Sequence, residues 1–229
     1  FNGWPAMSLD DKVADKKNGS LIRKALKLGF YTAFAAASGG LSYGLVGIAG
    51  PLTGMAFTAG SAVLNALGKN PDKKSRGLEG LLKDFSVGSL TGIAGVWGYQ
   101  AAASYFPTPG IGRALFGLGV ANPVFDTAYL ATDYIIKNDF NPAGFGKYFK
   151  ENFWPVFRDG TIWLGLPVAL TINGYGIPAT IGGLNLRGYP TIVGADAAFR
   201  VVAGLAESKV SNKSHSGYQM PAMSYAGAH

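Results

Sequence analysis

The stretch "LGFYTAFAAASGGLSYGLVGIA", residues 28–49, carries no charged side chain, and the equally uncharged "PLTGMAFTAGSAVLNALG", residues 51–68, follows it almost at once. Each run approaches the roughly 20 residues with which an α-helix crosses the hydrocarbon core of a bilayer. The glycines lie inside these runs and not only at their ends. The pair therefore predicts two adjacent helices in a membrane, joined by a turn at Gly50-Pro51.

Four further runs of low charge continue this pattern, at residues 85–106, 113–136, 153–178 and 188–206. The sequence thus predicts an all-α fold, a polytopic transmembrane helical bundle of about six membrane-embedded helices, with four to six as the range. In this interpretation residues 28–206 form a single transmembrane domain. A polar N-terminal arm, residues 1–27, precedes it and a polar C-terminal tail, residues 207–229, follows it. Both termini are expected on the same face of the membrane.

Composition and charge favour the same interpretation. Hydrophobic residues make up 48% of the chain and charged residues 14%, against about 25% charged in an ordinary soluble domain. Most of the 20 Lys and Arg residues fall in the arm, the tail and the 69–84 and 137–152 connections, as expected if these segments share one side of a membrane. The net charge of +7 then indicates loops against anionic headgroups rather than nucleic-acid binding. A Gly-rich soluble α/β domain is the alternative.

Glycines recur at the spacing that lets helices in lipid approach each other closely. Small-xxx-small pairs occur at Gly40 and Gly44, at Gly50 and Gly54, and at Gly88 and Gly92. We expect tight helix packing at Gly40, Gly44, Gly88 and Gly92. The alternative for some of these glycines is a position in a loop.

Catalytic and metal-binding patterns are scarce, so the sequence predicts a protein that is not an enzyme. Cysteine is absent, and the two histidines, His215 and His229, lie in the tail. No apolar run therefore offers a thiolate or an imidazole as nucleophile, general base or metal ligand. We expect no catalytic residue, no metal and no certain cofactor. Bound lipids are expected, and chlorophyll or carotenoid would be candidates in a photosynthetic complex.

A few polar residues fall within the apolar runs, where such groups are costly and are usually paired or functional. Four of them recur at intervals of 4, 3 and 4 and so share one helical face: Asn122, Asp126, Tyr129 and Asp133. Asp196 and Arg200 are spaced to pair within one helix, and Arg158 and Asp159 begin the fifth run. These groups could line a water-filled path, or they could neutralise each other inside the bundle. The second interpretation is favoured, with Asp126 and Asp133 facing Arg158 or Arg200.

The proline pattern between residues 151 and 179 carries a resemblance to a known family. The segment "FWP" is followed by "PVALTINGYGIP", with Pro155, Pro167, Asn173 and Pro178 at the spacing of a family signature. In these residues the chain is similar to the Mpv-seventeen and twenty-two-kilodalton peroxisomal membrane protein family, over about residues 55–178. The departures include Leu170, where the family has glutamine, and Gly174, where it has phenylalanine. Physically, the prolines predict a kinked helix braced by its bundle.

Two functions follow from these observations. The first is a non-enzymatic accessory or structural subunit of a larger organelle-membrane complex, respiratory or photosynthetic; order in the polar arm and tail would favour it, because such segments need partners to lie against. The second, which the resemblance implies, is a small-solute or ion channel. Lipid and other membrane subunits are the expected partners, and nucleic acid is not. The mitochondrial inner, thylakoid and peroxisomal membranes are the candidate locations, and the start at Phe1 favours removal of a targeting peptide.

Overall fold

The structure is a computed structural model, and it describes residues 9–70, 77–170 and 189–216. Throughout these residues the regular structure is helical, so the all-α prediction is confirmed. The helices are α1 (Leu9–Val46), α2 (Ala49–Ala66), α3 (Leu78–Tyr105), α4 (Ile111–Phe116), α5 (Asn122–Lys137), α6 (Phe145–Gly160), α7 (Leu166–Val168) and α8 (Tyr189–Ser216).

Two π-helical turns join four of these helices into longer rods. Residues Gly117–Ala121 connect α4 to α5, and Thr161–Gly165 connect α6 to α7. The described part of the chain therefore contains six helical rods, the number that the sequence predicts. Among the described helices, none combines the length and the apolar character required to cross a membrane.

Each π-helical turn ends two residues before a proline. Pro123 follows Gly117–Ala121 and Pro167 follows Thr161–Gly165. Proline has no N–H to donate and its ring crowds the carbonyl four residues earlier, so an ordinary α-helical turn is disfavoured there. A π-helical turn shifts the hydrogen-bond register and lets the rod continue. Pro155, by contrast, lies within α6 itself. Asn173 and Pro178 of the family motif lie outside the described residues.

Left-handed backbone conformations mark the turns between rods. Gly47, between α1 and α2, has φ +64°, and Gly68, after α2, also has φ +64°. Glycine adopts this conformation without the steric cost that a side chain would add. Gly50 and Pro51 instead lie in the first turn of α2, so the predicted turn at Gly50-Pro51 is wrong. The turn falls three residues earlier, where a glycine provides the positive φ.

Helices α2 and α3 approach each other closely at three glycines. A side chain at Gly88 would place its Cβ 2.7 Å from Cβ of Phe57 and 2.7 Å from the carbonyl oxygen of Thr53. At Gly92 the Cβ would lie 3.0 Å from Cβ of Thr53, and Gly54 faces Ser89 at a similarly close contact. Only a residue without a side chain fits at such positions.

Gly40 and Gly44 do not take part in this packing. A Cβ at either position would meet no atom of another residue within 4 Å, so the structure contradicts their predicted role in helix packing. Their spacing is the same as that of Gly88 and Gly92, but they lie on a side of α1 that faces none of the other described helices. Gly39, which was not predicted, does face another helix: a Cβ there would lie 3.1 Å from Cε1 of Phe85 on α3.

The outer surface of the bundle is unusually apolar. Trp97, Trp154 and Trp163 are 58%, 62% and 68% exposed. Large aliphatic side chains accompany them on α1, α2, α4 and the two π-helical turns, including Leu41, Leu45, Val63, Ile111, Leu115 and Ile162. The interior holds an aromatic and aliphatic cluster around Phe57, Tyr129, Leu130 and Phe199. It also holds many polar and charged side chains.

Helices α1 and α8 extend beyond the predicted boundaries of the central domain. α1 begins at Leu9, well inside the segment predicted as a polar arm, and α8 runs to Ser216, inside the predicted tail. Both segments are therefore helical continuations of bundle helices over these residues. The remaining residues of the arm and tail lie outside the part of the chain that the structure describes.

Candidate functional site

Five ionisable side chains from three helices meet inside the bundle. Asp84 lies on α3, Asp133 and Lys137 lie on α5, and Arg200 and Glu207 lie on α8. Nζ of Lys137 lies 3.0 Å from Oδ1 of Asp84 and 2.6 Å from Oδ1 of Asp133, and Nη2 of Arg200 lies 3.6 Å from Oδ1 of Asp84. The side chains of Asp84 and Arg200 have no exposed surface. We call these five residues the buried ionic network.

Hydroxyl groups hold the cationic side of this network in place. Arg200 donates from Nε to Oγ of Ser61 at 2.9 Å and from Nη1 to the hydroxyl of Tyr129 at 2.9 Å. Tyr129 in turn donates to Oε1 of Glu207 at 2.8 Å. The chain of hydrogen bonds therefore links α2, α5 and α8 through one guanidinium group.

The network contains three carboxyl groups and two cations. Taking charges out of water costs several kcal/mol for each ion, and the cost is recovered only where partners and hydrogen bonds are in good geometry. Lys137 contacts two carboxylates, and Tyr148 approaches both Asp133 and Glu207 at 3.4 Å. Removing one cation would leave an excess of negative charge in the interior. The network is therefore a strong constraint on how α3, α5 and α8 pack.

A second charged cluster lies at the end of the bundle where α3 begins and α5 ends. Asp139 accepts hydrogen bonds from Lys83 at 2.8 Å, from Tyr31 at 2.7 Å and from Lys27 at 3.0 Å. Glu79 completes the cluster, 2.9 Å from Lys83 and 3.1 Å from Lys27. These contacts fasten α1 to the turn after α5.

The pKa of Asp139 reflects these partners. Partial burial acts to raise it, but the hydrogen bonds from Lys83, Tyr31 and Lys27 outweigh burial and hold the pKa below its ordinary value. The hydrogen bond to Asp139 correspondingly raises the pKa of Lys27. The cluster is therefore fully ionised at neutral pH.

We expect the stability contributed by Asp139 to disappear in acid. A carboxyl group with a lowered folded pKa stabilises the fold above its unfolded pKa of about 3.9, and this contribution is lost as the pH falls through the folded pKa. Thermal unfolding between pH 7 and pH 2 should show this loss in the wild type. In Asp139→Asn the pH-dependent part should be smaller, and an unchanged pH profile would contradict the assignment. Lys147→Gln, at an exposed position, is the control.

A cavity of about 140 Å³ lies at the other end of the interior, between α2, α3, α8 and the two π-helical turns. Its wall is largely glycine and alanine, with polar groups at a few points; the residues that define it are Thr53, Gly92, Gly98, Asn122, Gly165 and Asp196. Asp196 accepts a hydrogen bond from Oγ1 of Thr53 at 2.8 Å. The space would admit a small molecule or a few waters.

The four residues of the predicted polar stripe all face the interior of the bundle, but they do different things there. Asp133 and Tyr129 belong to the buried ionic network, and Asn122 lines the cavity. Asp126 lies between these two groups; its side chain is buried and makes no hydrogen bond or ion pair with any described residue. The stripe therefore joins two distinct environments.

Two predicted pairings differ from the observed contacts. Asp196 and Arg200 do not pair: Asp196 bonds to Thr53, while Arg200 contacts Asp84, Ser61 and Tyr129. The i, i+4 spacing allows Asp196 and Arg200 to pair, but the guanidinium group of Arg200 contacts the carboxylate of Asp84 on α3 instead. The direct ion pair of Asp133 is with Lys137, at 2.6 Å, while Arg200 belongs to the same buried ionic network and Arg158 does not.

Arg158 has its own partner at the surface. It contacts Asp159 at 2.7 Å, and half of the Arg158 side chain is exposed. Lys209 approaches the same carboxylate at 3.9 Å. The pair at the start of the fifth run therefore lies outside the buried ionic network.

Sequence reasoning missed Asp84, Lys137 and Glu207. All three fell in segments predicted as connections or tail, because the helices extend further than the apolar runs. The i, i+4 spacing of Asp133 and Lys137 was a usable signal for one of the ion pairs. No spacing within one helix could reveal the contacts of Asp84, since its partners come from α5 and α8.

Over the described ranges, no group of three or more His, Asp or Glu side chains is arranged to hold a metal ion. When the chain is compared with known proteins, no protein family, no curated protein and no solved structure matches it. The resemblance over residues 55–178 accordingly stays a prediction.

Proposed function

We propose that this chain is a non-enzymatic integral membrane protein that serves as an accessory or structural subunit of a larger organelle-membrane complex. The observation that carries the proposal is the distribution of polarity. Five ionisable side chains meet inside the bundle while tryptophans and large aliphatic residues cover its outside. Charged side chains within membrane proteins face the interior of the bundle and pair there, and apolar side chains face the lipid.

Helix packing supports the same proposal. The contacts of Gly54, Gly88 and Gly92 between α2 and α3 bring two backbones close together. Such packing is characteristic of helices in lipid, which gain little from the hydrophobic effect. The glycines and hydroxyl residues that it requires also lower the mean hydropathy of the helices; α2 contains no charged residue but is rich in Gly, Ser and Thr.

The buried ionic network favours a structural role over conduction. Its ion pairs and hydrogen bonds join α2, α3, α5 and α8 across the interior, where a continuous path would have to run. A network of paired charges braces helices, and opening it to ions would require breaking those pairs. A respiratory or photosynthetic complex is the proposed setting, in a mitochondrial inner, thylakoid or peroxisomal membrane.

A small-solute or ion channel is the second candidate, and one observation favours it. Asp126 is a buried carboxyl group without a partner among the described residues, on the same helix face as Asn122 at the cavity wall. Unpaired carboxyl groups at membrane depth often mark ion or proton pathways. The family resemblance over residues 55–178 implies a channel and therefore also favours this candidate.

Reconstituted vesicles separate the two candidates. We expect vesicles that contain the wild-type chain to be no leakier to small cations than empty vesicles. Asp126→Asn should then change neither the leak nor the thermal stability, because no described residue forms an ion pair with Asp126. Asp133→Asn is the matched comparison. It should lower thermal stability, because it removes one of the two carboxylates that Lys137 contacts. A cation conductance that changes in Asp126→Asn without loss of stability would favour the channel.

A further inference from the structure

The first exposed part of α1 stands free of the bundle. All eight residues from Ser20 to Lys27 are exposed, on every side of the helix. The contacts between α1 and the charged cluster begin at Lys27. Among the residues that the structure describes, none covers these turns, so they are open to a binding partner.

The free segment has an apolar side. Leu21, Ile22 and Leu26 are 56%, 61% and 69% exposed, and Phe30, one turn further, is 52% exposed. Lys24 lies on the side opposite Ile22 and Leu26, and Arg23 and Lys27 flank the apolar side. The eight residues contain no acidic side chain. An occupant that matches both sides needs an apolar groove and negative charge at its rim.

The direction of α1 indicates which kind of occupant this is. α1 is one continuous helix of 38 residues, and its C-terminal part packs along α2 and α3. Residues 9–26 therefore continue past the charged cluster for roughly 27 Å, at 1.5 Å for each residue. A helix that leaves the end of a bundle in this way projects away from the lipid around it. An amphipathic helix bound to headgroups would instead lie in the plane of the membrane surface.

The point where the helix leaves the bundle is fixed. Lys27 contacts Asp139 at 3.0 Å and Glu79 at 3.1 Å, Tyr31 donates to Asp139, and the ring of Phe30 meets that of Phe140 at 5.7 Å between centroids. A segment that is already helical and already oriented loses less entropy when it binds. These contacts therefore present the apolar side in a set direction.

We infer that the segment around Leu21, Ile22 and Leu26 is a docking helix for another protein subunit, which receives it in an apolar groove with acidic residues at the rim. This inference rests on the proposed role as a subunit and specifies where that subunit contact lies. Recognition of an amphipathic helix through anchors at such spacing is a common mode of protein binding.

Cysteine labelling tests the inference cleanly because the chain contains no cysteine. Ile22→Cys and Leu26→Cys are compared with Lys147→Cys, whose side chain is 82% exposed on α6. Each variant is treated with a bulky maleimide in native membranes, and again as the purified chain in vesicles of phosphatidylcholine and phosphatidylglycerol. We expect positions 22 and 26 to react at least tenfold more slowly in native membranes than in the vesicles. Position 147 should react at similar rates in both.

Two outcomes would overturn the inference. Equally fast labelling of positions 22 and 26 in native membranes would mean that nothing covers the segment. Slow labelling in the vesicles, where no other subunit is present, would mean that the membrane surface or this chain itself covers the segment. A Trp97→Cys variant tests the proposed function independently of the docking helix. Fast labelling of position 97 in vesicles would contradict membrane embedding, whatever the labelling rates at positions 22 and 26.

Charge reversal provides a second test. The double variant Arg23→Glu and Lys24→Glu should reduce the fraction of the chain that co-migrates with the large assembly in native gels by about tenfold. Lys147→Glu, the control, should leave that fraction unchanged. Unchanged co-migration of the double variant would contradict the acidic rim. Its helix content, measured by circular dichroism, shows whether the variant is still folded.

Discussion

Arg200→Met should lower the free energy of unfolding by about 3–5 kcal/mol, as breaking one partner of a buried ion pair typically does. The substitution removes the contact with Asp84 and the hydrogen bonds to Ser61 and Tyr129. Lys137 would then be the only cation for three buried carboxyl groups. Methionine fills part of the same volume, so the loss would report on charge and hydrogen bonding more than on packing.

Arg158→Met is the matched control for this substitution. Arg158 also has a carboxylate partner, at 2.7 Å, but half of its side chain is exposed. Surface ion pairs usually contribute no more than about 1 kcal/mol. Unfolding in matched detergent micelles, followed by circular dichroism, compares the two variants. Equal losses of stability would contradict the assignment of Arg200 to a buried network.

Gly88→Leu should cost about 3 kcal/mol or prevent folding, because added volume in a closely packed contact forces backbone shifts. Its Cβ would lie 2.7 Å from both Cβ of Phe57 and the carbonyl oxygen of Thr53. Neither atom is the end of a flexible side chain, so α2 and α3 would have to separate. Gly88→Ala should already be destabilising for the same reason.

Gly40→Leu should raise the stability of the fold, whereas Gly88→Leu lowers it. Gly40 has the same spacing to Gly44 as Gly88 has to Gly92, but a Cβ there would meet no described residue within 4 Å. Replacing a glycine in a helix interior removes a cost of roughly 0.5–1 kcal/mol. Thermal unfolding of the two leucine variants compares the effects directly. A large loss of stability in Gly40→Leu would mean that α1 packs differently from the arrangement described above.

The sequence alone predicted the helical class and the approximate position of each rod, because long uncharged runs report where apolar segments begin and end. It also predicted that Asp126, Tyr129 and Asp133 share one face, since they belong to one helix and a fixed period relates them. Spacing within one helix is local information. The contacts of Gly88 were predictable in the same limited sense: the motif indicated close packing but not its partner.

Contacts between residues of different helices were not predictable from spacing in the sequence. Asp84 lies on α3 and Lys137 on α5, and only the three-dimensional packing brings them into one network with Arg200 on α8. Glu207 lies on α8 itself, two turns after Arg200, and its hydrogen bond comes from Tyr129 on α5. The competition between Asp84 and Asp196 for Arg200 likewise depends on how α3 and α8 approach each other. Gly40 and Gly44 show the same limit, since a motif on one helix does not reveal whether another helix faces it.

The π-helical turns illustrate a further limit. The prolines between residues 151 and 179 predicted a kinked helix, and at Pro167 the disturbance takes the form of a wider turn that ends two residues before the proline. The same kind of turn precedes Pro123, where no disturbance was predicted. The two turns meet where the amide of Asn122 contacts Gly165, and both line the cavity. A kink, a break and a wider turn are all compatible with a proline in the sequence, so the packing around it decides among them.

The central claim is that lipid surrounds the bundle, and tryptophan fluorescence tests it most directly. Trp97 and Trp163 are largely exposed at separate positions on the outer surface. Chains that keep only one of these tryptophans, with the others replaced by phenylalanine, are reconstituted into phosphatidylcholine vesicles with or without bromine on the acyl chains. We predict strong quenching of both tryptophans by the brominated lipid and little quenching by aqueous iodide. Quenching by iodide with no effect of the brominated lipid would contradict the membrane-embedded bundle.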